Sequence, residues 1–275
     1  MNWKRSVGLP LLAAILLLVL AAPSKADSWQ FSATPYLWLP SVNGHLSFNT
    51  TSLPGNGSNI SCGVPCTVDF QLAPSGFLAH LNSAIMLSAD ARKGRWDLAT
   101  DIINTNMTVN TGMVTDLTGP FGRVNILFHH NTSSRFTGTI WTLEGGYALF
   151  QDKMFNVDFI GGFRSTSLTA RSTYDFGGPF GRFARSGSFS NNAGPFDWIV
   201  GIKGRANLTN KLFIPYYLDV GSGTNSSTAQ EVIGIGYGHN ASAELLYRNL
   251  AYTSTNTALK SINLSGPALG YTFHF

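Results

Sequence analysis

The stretch GPALGYTFHF, residues 266–275, decides how the rest of the chain is read. Leu269, Tyr271, Phe273 and Phe275 fall on one side of an extended strand, and Ala268, Gly270, Thr272 and His274 on the other. Strand side chains alternate with period two, so one face is large and aromatic and the other small and polar. In water, a strand edge carrying aromatics with no polar tail invites aggregation. In hydrocarbon the same strand is satisfied if its edge closes on another strand and its aromatics meet lipid, which is the pattern of a transmembrane β-barrel.

Working back from this strand, the same alternation recurs. Residues 29–39 place Trp29, Phe31, Leu37 and Leu39 on one face and Gln30, Ser32, Thr34, Tyr36 and Trp38 on the other. Pro35 and Pro40 warn of a bulge or an edge, because proline cannot donate to a ladder. Further strands are expected at residues 77–91, 96–108, 136–150, 155 to about 170, 196–208, 212–220, 229–238 and 241–252. Short turns at Lys93-Gly94, Asp152-Lys153, Thr209-Asn210 and His239-Asn240 alternate with long connections at about 50–74, 111–135 and 171–192, a shorter flexible one at 221–227 and a last one at 253–260. This predicts an all-β fold, a membrane-spanning antiparallel up-and-down barrel of about ten strands with short turns periplasmic and long loops outside. Two more strands, around residues 44–48 and 67–72, would make twelve.

The run Gly270-Tyr271-x-Phe273-x-Phe275 resembles the C-terminal β-signal of Gram-negative outer-membrane proteins, with Ala268 where that family usually has a polar residue. Residues 29–40 resemble the first strand of a group of proteobacterial outer-membrane barrels with no assigned activity. The resemblance implies location in the outer membrane among lipid and lipopolysaccharide. It also implies an encounter with the barrel-assembly machinery through Gly270, Tyr271, Phe273 and Phe275. It implies almost nothing about a substrate.

The start of the chain agrees. Lys4 and Arg5 precede an apolar run at residues 7–22, and Ser24-Lys25-Ala26 offers small residues at a cleavage site. Residues 1–26 are therefore expected to be a cleaved signal peptide and 27–275 a single barrel domain. A membrane anchor needs about 20 apolar residues, more than this Pro10-containing run supplies. Of 18 Lys+Arg and 14 Asp+Glu, the leader holds Lys4, Arg5 and Lys25, which leaves the mature chain one charge above neutral. No clustered basic face suggests nucleic acid. Charged residues are only 12% of the chain, against about 25% in an average globular one. A secreted β-sandwich is the competing architecture. Cys62 and Cys66 lie in a Gly/Ser/Pro-rich loop of an exported chain, so a disulfide-closed loop is expected there, metal binding being the alternative.

Chemistry is harder to find. His239-Asn240-Ala241-Ser242 with Glu244 loosely resembles a lipid A deacylase motif, but the spacing is one residue too long and the turn is on the periplasmic side. His129-His130-Asn131-Thr132-Ser133 has no evident acid partner. Both read as polar turn or loop. A lipid-modifying enzyme is therefore the alternative to a non-enzymatic barrel, and no cofactor is expected. Gly-Pro-Phe-Gly-Arg occurs at 119–123 and again at 178–182, by chance or as paired loop turns that pack together or bind one surface partner. The inward face carries Asp97, Asp101, Glu144, Asp158, Arg164, Asp197, Lys203, Arg205, Asp219, Glu244 and Arg248. Charge at mid-depth on the lipid face costs about 2–4 kcal/mol for Arg or Lys, which assigns these to the lumen. Eight strands leave a bore about filled by side chains and 16–18 an aqueous channel. A monomer with a charge-paired, occluded interior is expected, with a narrow pore for small solutes as the functional alternative.

Overall fold

The computed structural model describes residues 28–48, 66–118, 125–177, 185–255 and 259–275. Thirteen strands form one antiparallel sheet. They are β1 (Gln30–Trp38), β2 (Ser41–Phe48), β3 (Cys66–Leu72), β4 (Leu81–Lys93), β5 (Trp96–Thr118), β6 (Asn125–Gln151), β7 (Phe155–Gly177), β8 (Arg185–Ala193), β9 (Phe196–Asn207), β10 (Leu212–Ser222), β11 (Ser226–Gly238), β12 (Ala241–Ser254) and β13 (Leu259–His274). A short helix, α1 (Pro74–His80), lies between β3 and β4.

Ten strands close the ring in the order β1-β4-β5-β6-β7-β9-β10-β11-β12-β13, and β13 returns to pair with β1. The closure joins Ser32 to His274 and Trp38 to Ala268 in register, 238 residues apart in sequence where Thr34 Oγ1 meets Thr272 Oγ1 at 2.8 Å. At its end the Phe275 amide donates to the Phe31 carbonyl at 2.8 Å. Both described ends and the turns at 94–95, 152–154, 208–211 and 239–240 lie at one end of the cylinder, called here the turn end. Gly94 takes a positive φ of 59° in the tightest of these, a conformation that costs glycine nothing.

Two staves are interrupted by proline. Leu39-Pro40 separates β1 from β2, and Gly194-Pro195 separates β8 from β9. In each case the chain resumes along the same neighbour. β13 pairs with β1 through Ala268–His274 and with β2 through Leu259–Ser265. β7 pairs with β9 below Ser165 and with β8 from Leu168 upward. The two additional strands expected near 44–48 and 67–72 are β2 and β3. They form a hairpin on β13 at the loop end and add nothing to the ring of ten.

Two expectations need correction. Residues 77–80 are not the start of a strand: Pro74 at the first helical position and the anchor Phe77, 4% exposed, make this α1, which puts His80 on the helix. Proline is suited there because its missing N–H would have no helical partner. The connections at 111–135 and 171–192 are mostly paired strand, since β5 and β6 run in register from Thr118↔Asn125 downward and β7 pairs with β8. Residues 111–135 and 171–192 carry no sustained period-two alternation of apolar and polar residues, so the strand signal is missing there. Finally, Cys62 and both Gly-Pro-Phe-Gly-Arg copies lie outside the described residues.

The outer surface is apolar. Ile85, Leu98, Trp198, Val220, Ile233, Leu245 and Leu269 stand 53–67% exposed. Aromatics gather in two belts. Near the turn end Trp96 packs edge-on to Tyr147 at 4.8 Å and Tyr271 to Phe273 at 4.9 Å. Nearer the loop end Trp141, Phe163, Phe196 and Trp198 form a chain of ring contacts at 5.1–6.4 Å. On β7, Phe155 and Phe163 mark the two levels. Eight residues at ~3.3 Å each, tilted by about 40°, give roughly 20 Å of height, close to the ~25 Å band of a transmembrane barrel. A closed hydrogen-bonded wall with this outer face is a membrane-spanning barrel.

A candidate site in the barrel lumen

The period-two phase that turns the aromatics outward turns a second set of residues into the bore. Nearest the turn end, Lys203 on β9 reaches Asp97 Oδ2 at 2.5 Å, Glu144 Oε1 at 3.1 Å and Asp90 Oδ2 at 3.2 Å. Its ammonium thus holds carboxylates from β4, β5 and β6 together across the lumen. Arg92 pairs with Asp158, and Tyr217 donates to Glu144 Oε2 at 2.7 Å. Gly146 makes room for Asp97, because a Cβ there would stand 1.8 Å from the carboxylate.

Two arginines organise the next level. Arg164, fully buried, forms a two-pronged pair with Asp219 (Nη1 to Oδ1 3.0 Å, Nη2 to Oδ2). It also donates from Nε to Thr142 at 3.1 Å and from Nη1 to Thr228 at 3.0 Å. Arg248 donates to Tyr36 at 2.9 Å, Asp101 at 2.7 Å and Gln230 at 2.8 Å, while Tyr36 donates to Asp101 at 2.6 Å. Its guanidinium lies 5.0 Å from the Trp38 ring centroid. A planar fork of fixed donors suits this bidentate, stacked role better than an ammonium does.

Trp38 begins an apolar layer. With Met86, Ile103, Ile140, Leu250, Tyr252 and Ala268 it forms a cluster whose members are at most 6% exposed. Leu246, Ile262 and Leu264 pack against it. These residues come from β1, β4, β5, β6, β12 and β13, so the cluster spans more than half the ring. The Trp38 indole donates to the Gly266 carbonyl at 3.2 Å, which satisfies its one polar atom.

Two cavities flank this layer. One, about 220 Å³, is lined by the charged level, including Asp90, Asp101, Glu144, Lys203, Tyr217 and Arg248. The other, about 320 Å³, opens at the loop end among Thr166, Ser226, Tyr252 and Lys260.

Of the charges assigned to the lumen from phase, Asp97, Glu144, Asp158, Arg164, Asp197, Asp219 and Arg248 are buried. Asp101, Lys203 and Glu244 are half-buried. Arg205 is exposed at the turn end, its guanidinium 4.9 Å from the ring of the inward Phe213. Ser242 donates to Glu244 Oε1 at 3.2 Å, and Thr272 donates to the same oxygen at 2.9 Å. The side chains of residues 129–133 are not among those described. Arg92 and the inward apolar layer escape the sequence reading. Arg92 is two residues from Asp90 and shares its phase. The layer announces itself only as apolar residues on both parities, as in Ile85-Met86-Leu87 and Ile102-Ile103.

Fold and bore together define a ten-stave transmembrane barrel of the outer-membrane kind. No family model matches the chain, and no curated protein matches its sequence. Among solved structures it is similar in fold to the outer-membrane protease OmpT of Escherichia coli, with a TM-score of 0.50 and 11% identity, over 92% of this chain and 99% of that one. It also matches Ail, the attachment invasion locus protein of Yersinia pestis, with a TM-score of 0.34 and 9% identity, over 91% of this chain and 100% of that one. The translocator domain of the autotransporter NalP from Neisseria meningitidis matches with a TM-score of 0.36 and 12% identity, over 96% of this chain and 95% of that one. The likeness is one of fold.

Proposed function

We propose that this chain is a non-enzymatic outer-membrane barrel of structural or interaction type, with its turns in the periplasm, its bore closed and its extended hairpins presented outside. The observation that carries this reading is the apolar layer around Trp38, which meets across the lumen with almost no exposed surface. Water and ions cross such a layer at high cost, since hydrocarbon-like lining offers no replacement for hydration. The ion pairs below it add a second obstruction. Lipid and lipopolysaccharide surround the outer face, and residues 270–275 serve as the segment read by the barrel-assembly machinery.

The test is conductance of the purified chain in planar bilayers. Closed bilayers support the proposal, and regular discrete steps overturn it. A narrow pore is the second reading, favoured by the cavity in the charged level. Among the described residues the lumen holds Asp90, Asp97, Asp101, Glu144, Asp158, Asp197, Asp219 and Glu244 against Arg92, Arg164, Lys203, Arg205 and Arg248. Acids outnumber bases, so a pore of this lining passes cations in preference to anions. Enzymatic action on lipid A is tested separately, by comparing its mass profile with and without the gene. An unchanged profile is expected.

A further inference from the structure

β8 has a ladder on one side only. It pairs with β7 from Phe176↔Arg185 to Leu168↔Ala193, and with no other described strand. The register tells which of its backbone groups are spare. β7 meets β8 and β9 in one unbroken register, and at the break between them the Thr166 amide donates to the Pro195 carbonyl at 2.9 Å. Antiparallel ladders alternate bonded and non-bonded pairs, so the odd-numbered residues of β8 bond to β7. Ser186, Ser188, Ser190 and Asn192 turn their amides and carbonyls the other way. Further down, the even-numbered residues of β9 direct the same groups at β10, and just below them the Leu208 amide donates to the Leu212 carbonyl at 2.8 Å. But β10 stops at Ser222, opposite Trp198, and the chain turns back at 223–225 into β11. Among the described residues no strand continues the line of β10 beside β8.

The strand does not guard that edge. Proteins blunt an open edge with lysine, proline or a bulge. RSGSFSNNA, residues 185–193, has no lysine, no proline and no register shift against β7. Such an edge is matched by another extended backbone. The ring says where that backbone comes from. The place beside β8 stands over β10, above the aromatic belt that includes Phe196. A second copy in the same membrane would need its own wall beneath any strand it lent, and β10 already fills that position, ~4.8 Å from β9. The added strand therefore arrives from beyond the loop end. The charges around its path are mostly basic. Arg171 is exposed and in register with Ser190, Arg185 begins β8, and Lys260 lines the cavity at the foot, against Asp175 alone on the β7–β8 hairpin. That cavity of about 320 Å³ lies between Pro195 and the turn residues Thr224 and Asn225, with Leu168 and Ile262 as apolar lining.

We propose that the free edge of β8 is a docking site for an extended, acidic segment of a partner protein outside the cell. The segment adds as a strand in the line of β10 and places an apolar end residue in the loop-end cavity. This names the partner chemistry of the interaction-type barrel proposed above. It rests on the outward-facing loop end of that reading and not on the closed bore.

The probe is a capped, fluorescein-labelled peptide of alternating threonine and glutamate with leucine at each end. It is titrated by fluorescence anisotropy into the full chain refolded in micelles, and saturable binding is expected. N-methylation of two adjacent central residues removes an N–H from each edge of the peptide and is expected to weaken binding at least tenfold, as is replacement of its glutamates by lysine. Ser188→Pro with Ser190→Pro removes two outward N–H groups of β8, spares the bonds to β7, and is expected to weaken binding to a similar degree. Absence of saturable binding, or equal binding of the methylated or the lysine peptide, overturns the proposal whether or not the proline variant folds. So does dimerisation of the refolded chain that the proline variant abolishes, which gives the edge to a second copy. Binding in micelles but not to intact cells overturns the outward orientation on which the proposal rests, a failure distinct from loss of the site.

Discussion

Arg164 and Asp219 show how one residue pair can be both expensive and indispensable. Each is completely buried, and each is the other's main partner. Desolvating two charges costs several kcal/mol, so the pair adds little net stability, yet removing one member leaves a bare charge and costs about 3–5 kcal/mol. Arg164→Met is therefore expected to lower the urea midpoint by that equivalent, while Arg164→Met with Asp219→Leu recovers most of it. Equal loss in single and double variants, measured by the unfolded fraction on a cold gel, would show that the pair is worth more than its desolvation. The sequence carries the phase of both residues, and hence their inward direction. It does not carry their partnership: Arg164 stands opposite Asp197 on β9 in register and still reaches past it to Asp219 on β10, so the pair is not one the ladder register names.

At the scale of elements, β13 does the joining. Its lower half zips to β1 and its upper half to β2, and the changeover falls at Gly266. A Cβ there would stand 2.2 Å from the Leu39 carbonyl oxygen and 3.0 Å from the Pro40 Cα, both backbone atoms that cannot step aside cheaply. Gly266→Ala is expected to destabilise by roughly 1–3 kcal/mol, the usual cost of overpacking, and to reduce the heat-modifiable fraction. Alanine at Gly145, where the new Cβ would stand 4.0 Å from the Gly161 carbonyl oxygen, is the matched control and should change little. The proline break at 40 was visible in the sequence as a warning of a bulge or an edge; the one at 195 was not, and β8 before it reads as loop. The helix α1 was not visible either, because seven residues around Pro74 and Gly76 carry no usable period. The overlong hairpins of β5 to β8 were missed because residues 111–135 and 171–192 lack a sustained period-two alternation.

For the whole molecule, the governing fact is that the hydrophobic residues lie outside. Thirty or so large apolar side chains are exposed at once, a surface no soluble domain of this size would keep. Depth should then set the cost of charge. Ile233, 60% exposed in the middle of β11, faces the hydrocarbon. Ile233→Arg is expected to cost about 2–4 kcal/mol, and Tyr271→Arg near the turn end about 0–1 kcal/mol, both read from unfolding in lipid vesicles. Equal costs at the two depths would argue against a bilayer around this cylinder. This outward hydrophobicity made the ring legible from sequence, whereas the inner apolar layer blurred it, since both parities are greasy at that level.

The seam between β1 and β13 also bears on how the protein is made. The first strand to leave the ribosome must wait for the last before either has both neighbours, since 238 residues separate Thr34 from the Thr272 it touches. Contacts this distant in sequence form slowly. A polypeptide stopped short of Phe275 is thus an open curtain with two raw hems, and its natural fate is to be degraded or to stick to another like itself.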